Sequence, residues 1–394
     1  MQIALVSEHV SLIAGGTAVS SRHAQVAELA QALAERGHQV RVYTRQDSPG
    51  SPPRESLCSG AEVVRLPAGP PSTLSQDELL RQIPAFAALL EQEWSADPPD
   101  VVHAHFWPSG LAALAGTRQL GVPVLQTFHA LGSINWGRTG RERERPTASP
   151  PRIRLETAIS RSVARVLATS QAEAEELYRM GVSRTSVTVV PYGVDVDLFR
   201  PDGPVAARAS RPRLVTAGRL TPDNGFDLAI RALRGVPDAE LLIVGGPGAA
   251  ELPAHPEARR LRHDAGRNGV ADRVRLVGHV GRSELPALLR SADVAVSAPR
   301  HTLFGMVALE AMACGVPVVA AATGGLADTV VEGATGELVR PRDPDALAAA
   351  LRRLLSDPTR LAGYRVGGAD RARARYSWPR VAADTEAAYQ QATQ

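Results

Sequence analysis

The 394-residue chain contains no lysine; all 44 residues in its Lys+Arg count are arginines, against 41 acids. The net charge is +3. Spread over this length, that excludes the concentrated basic footprint of a nucleic-acid-binding protein, although the isoelectric point is near 9.2. Cysteine is nearly absent. Cys58 and Cys314 alone cannot build a disulfide framework or a cysteine-rich zinc site. Aromatic residues make up only 4%, so any core must be mainly aliphatic. No apolar run approaches about 18 residues, so no transmembrane helix is expected. The opening MQIALVSEH lacks a basic leader and reads at once as a strand. A signal peptide is therefore not expected, and the expected compartment is the cytoplasm. Arginine without lysine, with abundant alanine and proline, points to a GC-rich bacterial genome.

What is present is an alternation of short apolar runs and longer amphipathic segments. IALVSE (3–8), QVRVYT (39–44), AEVVRL (61–66), DVVHAH (100–105) and VPVLQTFH (122–129) read as strands. Helical patterns separate most of them, at 23–36, 75–94 and 108–119. VARVLATS (163–170) and SVTVVP (186–191) continue the series, with helices at 152–162 and 171–180. Strand–helix–strand order implies a parallel sheet with helical crossovers. After Pro191 the text turns polar and rich in proline and glycine, as a linker does. A second series starts at RLVTAGR (213–219) and ends with a helix at about 378–392. The expected fold class is α/β, with two doubly wound Rossmann-like domains. Ligands of such sheets bind at the carboxyl ends of the strands, where the strand order reverses. Segment 133–150 has no periodicity and reads as a long loop, a candidate lid.

Three segments carry chemistry. Gly15 and Gly16 follow the first strand and precede a helix, which suits a phosphate, although taken alone they read equally as a tight turn. Arg219 ends a strand in GRLTPDNG (218–225), where a guanidinium can fork onto a diphosphate or pair with a surface acid. Finally, Phe304-Gly305-Met306-Val307 opens a helix whose amides would face any ligand there. Glu310, farther along that helix, can accept two ribose hydroxyls or simply stabilise the positive end of the helix dipole.

Together with DVVHAHFWPSGLAAL (100–114), VPVLQTFHALG (122–132), VTVVPYGVD (187–195), FG…E…EAMACGVPVVA (304–320) and TGELVRPRD (335–343), these segments resemble a retaining glycosyltransferase of the family-4 class. The resemblance spans the whole chain. It implies the GT-B fold, with two domains facing across a cleft: 1–198 on the acceptor side and 199–377 binding the nucleotide sugar. The closing segment 378–394 would pack back on the first domain. It also implies roles for single residues. Gly15 and Gly16 meet the donor diphosphate, His129 the donor sugar, and Arg219 the diphosphate. Phe304, Gly305, Met306 and Val307 hold sugar and phosphate, Glu310 the ribose, and the stretch at Val280 borders the base. His129 and Arg219 are the catalytic candidates, and His105 and Trp107 candidates for the acceptor. The resemblance implies no metal and no cofactor beyond the nucleoside-diphosphate sugar, and no histidine–carboxylate group stands at metal-ligand spacing. The expected partners are that donor and a small-molecule acceptor.

Two positions depart from the family pattern. Its diphosphate lysine is replaced by Asn224, and the glutamate eight residues before Glu310 is replaced by Thr302. One cation and one carboxylate are lost together, which points to a modified or enlarged donor sugar, such as a GDP-linked one, in bacterial natural-product (antibiotic-type) biosynthesis. The alternative is a non-catalytic nucleotide-binding homologue acting as a partner subunit. A sugar-nucleotide epimerase is disfavoured by the acceptor-side segments at 100–132.

Overall fold

A computed structural model describes residues 1–8, 21–133, 150–300, 302 and 304–394. The chain forms two compact units, Met1–Gly193 with Trp378–Gln394, and Val194–Ser377. The N-terminal unit runs β1 (Gln2–Val6), α1 (Ser21–Glu35), β2 (Gln39–Arg45), β3 (Arg54–Cys58), β4 (Ala61–Leu66), α2 (Gln76–Ala96) and β5 (Val101–His105). It continues with α3 (Trp107–Gly116), β6 (Val124–Thr127), α4 (Pro150–Ser162), β7 (Arg165–Ala168), α5 (Gln171–Arg179) and β8 (Val187–Val189).

These strands form one eight-stranded sheet in the order β3-β4-β2-β1-β5-β6-β7-β8. All pairings are parallel except β3 with β4. β3 has no counterpart among the expected strands. RESLC carries little β-branched character, and this edge strand stays half-exposed, so neither composition nor alternation marks it. One face of the sheet packs on Ile83, Phe86, Leu90 and Trp94 of α2. The other packs on Val26, Leu29 and Leu33 of α1. A capping box starts α2: Ser75 accepts from the Glu78 amide, and the Glu78 carboxylate accepts from the Ser75 amide at 2.8 Å.

The C-terminal unit runs β9 (Arg213–Ala217), α6 (Phe226–Ala232), β10 (Glu240–Val244), α7 (Pro256–Arg267), β11 (Val274–Gly278), α8 (Leu285–Arg290) and β12 (Val294–Ser297). Then come α9 (Met306–Ala313), β13 (Val318–Ala321), α10 (Leu326–Thr329), β14 (Gly336–Val339), α11 (Pro344–Leu355) and α12 (Pro358–Tyr376). Its six strands are all parallel, in the order β11-β10-β9-β12-β13-β14. Because the chain winds from β9 to β11 on one side and from β12 to β14 on the other, the strand order reverses between β9 and β12.

The last helix, α13 (Trp378–Ala392), belongs to the N-terminal unit. Val381, Ala382, Ala388 and Tyr389 join the α1 face of the core, each large side chain contributing about 1.5–3 kcal/mol on burial. The Gln25 side chain clamps Gly193 by accepting from its amide at 3.0 Å and donating to its carbonyl at 3.1 Å. Among the described residues, no helix is long and apolar enough to cross a membrane.

Candidate functional site

In the N-terminal unit the polar residues gather where β5 and β6 end. These neighbours run in register, with His105 beside Thr127. Each strand is followed by a residue in the left-handed region: Phe106 at φ 68° and His129 at φ 58°. Such backbone in non-glycine residues persists only where the surroundings hold it, and it concentrates at functional sites.

The surroundings here are a hydrogen-bonded set of buried rings. His129 Nε2 lies 2.9 Å from His105 Nδ1, and His129 Nδ1 lies 2.7 Å from the Tyr192 hydroxyl. The Tyr192 and His129 rings stack with centroids 5.5 Å apart. His103 bonds Tyr389 at 2.8 Å and Thr127 at 2.9 Å. Burial pushes His105 down to about 3 and holds His103 well below the usual histidine range. His103 and His105 are therefore neutral at ordinary pH. His105 Nε2 is buried without a hydrogen-bond partner and lines a cavity of about 30 Å³, enough for a water.

The sequence-expected residues fall into this picture as follows. His105 is bonded to His129 rather than presented to solvent, and Trp107 is buried at the start of α3. Both ring nitrogens of His129 are committed inside the unit. Gly15 and Gly16 lie outside the described residues, as does most of the expected lid. Tyr192 was not expected, because a tyrosine in a strand-end PYGVD gives no sign of its distant partner. Glu8 is also buried here, at the end of β1, where its carboxylate accepts from Ser109 Oγ and its amide donates to the same oxygen at 2.9 Å. Burial raises Glu8 to about 7.

In the C-terminal unit the strand-order reversal collects the remaining candidates. Arg219 is exposed, two residues past the end of β9. A short turn at Pro222–Asn224 follows, closed by Gly225 at φ 67°. A Cβ on Gly225 would lie 1.9 Å from the Ala298 carbonyl oxygen, so only glycine lets the turn approach the end of β12. Asn224 donates to the Arg219 carbonyl at 2.6 Å and to Thr221 Oγ1 at 3.4 Å, so its amide serves the turn itself.

The loop after β12 leads through Thr302 and Phe304 to Gly305, which sits at φ 87° as the N-cap of α9 without any side-chain cap. A Cβ there would meet Leu326 at 2.4 Å. No side chain caps the start of α9, although the Ala308 amide already donates to the Gly305 carbonyl at 3.0 Å; a helix N-terminus open to a ligand suits an anion. Glu310 is buried as the fifth residue of α9, with the Arg282 guanidinium 3.8 Å away. Arg282 was also not expected; it follows β11, just past the half-buried Val280. Among the described residues no group of three or more His, Cys, Asp or Glu could hold a metal ion.

Two family models cover most of the chain. Residues 23–193 match a glycosyl transferase 4-like domain, and residues 204–369 match glycosyl transferases group 1. A D-inositol 3-phosphate glycosyltransferase of Xylanimonas cellulosilytica is 36% identical, covering 100% of this chain and 97% of its own. A second protein of that name, from Catenulispora acidiphila, is 35% identical over 98% of this chain and 94% of its own. Among solved structures, a sucrose-phosphate synthase from Thermosynechococcus elongatus superposes with a TM-score of 0.84 at 29% identity, over 99% of this chain and 98% of its own. Anabaena HepE in complex with UDP and glucose shares the fold at 18% identity and a TM-score of 0.74, over 99% of both chains. The chain therefore belongs to the GT-B-fold glycosyltransferases, joining a glycosyl transferase 4-like domain to a glycosyl transferases group 1 domain.

Proposed function

We propose that this enzyme is a family-4-class glycosyltransferase that takes a sugar from a nucleoside-diphosphate donor and passes it, with retention of anomeric configuration, to a small polar acceptor. The observation that carries the donor half is the β9/β12 crevice. It joins an exposed arginine, a helix start with no side-chain cap and a buried carboxylate within one unit. Arg219 and the amides at Phe304, Gly305, Met306 and Val307 stabilise the departing diphosphate. Glu310 takes the ribose hydroxyls, and Val280 borders the base.

Retention follows from front-face displacement. The bond from the anomeric carbon to the donor phosphate oxygen breaks while the acceptor oxygen or sulfur bonds to that carbon on the same face. A phosphate oxygen of the leaving group accepts the acceptor proton. Catalysis rests on positioning and charge stabilisation, with no protein nucleophile. His129, at the end of β6, shapes the sugar side rather than offering a free ring nitrogen, and the buried β5 end with His105 and Trp107 shapes the acceptor side. By resemblance, Gly15 and Gly16, which lie outside the described residues, are further candidates for the diphosphate. The reading calls for no metal and no cofactor besides the donor.

The relatives' name specifies a small polar acceptor, an inositol phosphate, which supports this acceptor class. Asn224 and Thr302 are uncharged and shorter than the lysine and glutamate of the pattern. They support a modified or enlarged donor sugar, GDP-linked in our reading, used in bacterial antibiotic-type biosynthesis in the cytoplasm.

Two measurements test this. In a thermal-shift panel of nucleoside diphosphates, the right base at about 100 times its dissociation constant should add about 2.7 kcal/mol of stability. Proton NMR of the first product should show the donor's anomeric configuration. An inverted product, or no stabilisation by any nucleoside diphosphate, overturns the reading.

A further inference from the structure

We propose that Arg300 is the second cation of the donor diphosphate site, supplying from the β12 side the charge that Asn224 lacks. The inference rests on the reading that a nucleoside diphosphate binds in the β9/β12 crevice.

Topology comes first. β9 and β12 pair directly, with Leu214 beside Val294 and Val215 beside Ala295. Arg219 follows the end of one strand and Arg300 the end of the other, so the two arginines flank the place where the strand order reverses. The loop carrying Arg300 is stitched to the turn carrying Asn224. The Arg300 amide donates to the Asp223 carbonyl at 2.7 Å, and Arg300 Nε donates to the Pro222 carbonyl at 3.2 Å. Its guanidinium therefore lies over the turn of the pattern's missing lysine, while the Asn224 amide folds onto the backbone of Arg219.

The anchoring is specific. Arg300 Nη2 donates to Asp227 Oδ2 at 3.1 Å, and Asp227 is fully buried. A buried carboxylate needs a cationic partner, so Asp227 fixes the guanidinium plane. It does not cancel the local charge. Arg231 also approaches the same oxygen, at 3.5 Å, so one buried carboxylate faces two guanidiniums. Nη1 of Arg300 has no hydrogen-bond partner among the described residues, and the side chain is one-third exposed. A positioned, partly exposed guanidinium with an open N–H edge is what a phosphate oxygen requires. Compared with a lysine on the turn, it offers a planar fork from another direction, which leaves room at position 224 for donor bulk.

The test is calorimetric binding of GDP, UDP and ADP, and of their nucleosides, to the full chain. Arg300→Ala is expected to weaken the preferred nucleoside diphosphate by about 10-fold or more and to leave the nucleoside unchanged. Arg300→Gln, which keeps donors for the turn but no charge, is expected to do the same and stands in should Arg300→Ala fail to fold. Adding Asn224→Lys to either variant should restore most of the lost affinity, because it returns a cation without returning the hydrogen bonds to Pro222 and Asp227. Wild-type affinity for the diphosphate in both Arg300 variants overturns the inference. So does an equal loss for nucleoside and diphosphate, or no restoration by Asn224→Lys. If wild type binds no nucleoside diphosphate, the proposed function itself falls first.

Discussion

The strand ends of the two units solve opposite problems. At the β5/β6 edge the polar groups are buried: His103 and His105 are neutral, and the left-handed His129 is held in a His105–His129–Tyr192 chain of hydrogen bonds inside the unit. At the β9/β12 edge they are charged and partly exposed. Arg219 and Arg300 are exposed or partly so, no side chain caps the start of α9, and two buried carboxylates, Asp227 and Glu310, each face a guanidinium. The first arrangement suits precise shaping around an uncharged sugar or polar acceptor; the second suits an anion. The two sheets share the same winding, so the difference comes from the side chains at their carboxyl ends. Fold alone does not assign these roles.

The sharpest way to break this contrast is to remove charge from the second edge. Arg219→Ala should lower kcat by roughly 100–1,000-fold, the usual effect of losing one preorganised charge-stabilising donor. An unchanged kcat would take Arg219 out of the mechanism. Next, Glu310→Gln should weaken the free nucleoside diphosphate as well as the sugar-linked donor, by roughly 10–100-fold, since a hydrogen bond to a charged group contributes about 1.5–3 kcal/mol. Equal calorimetric affinities of wild type and variant would refute the ribose assignment.

The neutral edge should respond in stability. Tyr192→Phe leaves the buried His129 Nδ1 without its partner and should cost about 1–3 kcal/mol in urea unfolding. A variant as stable as wild type would show that the ring chain does not hold His129. The smallest effect is a slope. Glu8 releases its proton near 4.5 when unfolded and near 7 when folded. Its stabilisation is complete below about pH 4.5 and is lost as pH rises toward 7, by at most about 1.4 kcal/mol per pH unit. Glu8→Gln should flatten that slope, and a wild-type-minus-variant difference that stays constant between about pH 5 and 7 would count against a buried, protonated Glu8.

Much of this was legible before any coordinates. The helix at 378–392 and the two winding series were readable because period-2 and period-3.6 patterns are local. Helix ends were less so: the segment expected to be helical over 108–119 is helical over Trp107–Gly116. β3 escaped because an exposed edge strand needs no hydrophobic alternation.

By itself the sequence determined the α/β class, the strand-end positions of Arg219, Phe304–Val307 and Glu310, and the charge missing at Asn224 and Thr302. Each is a matter of residue type at short spacing. Only the tertiary structure decided that Tyr192 caps His129 across 63 residues, that Arg282 approaches Glu310, and that Arg300 reaches back 73 residues to Asp227. The reason is physical. Parallel sheets pair strands distant in sequence, so the neighbours that satisfy a buried ring or orient a guanidinium are set by strand order, which no local pattern encodes.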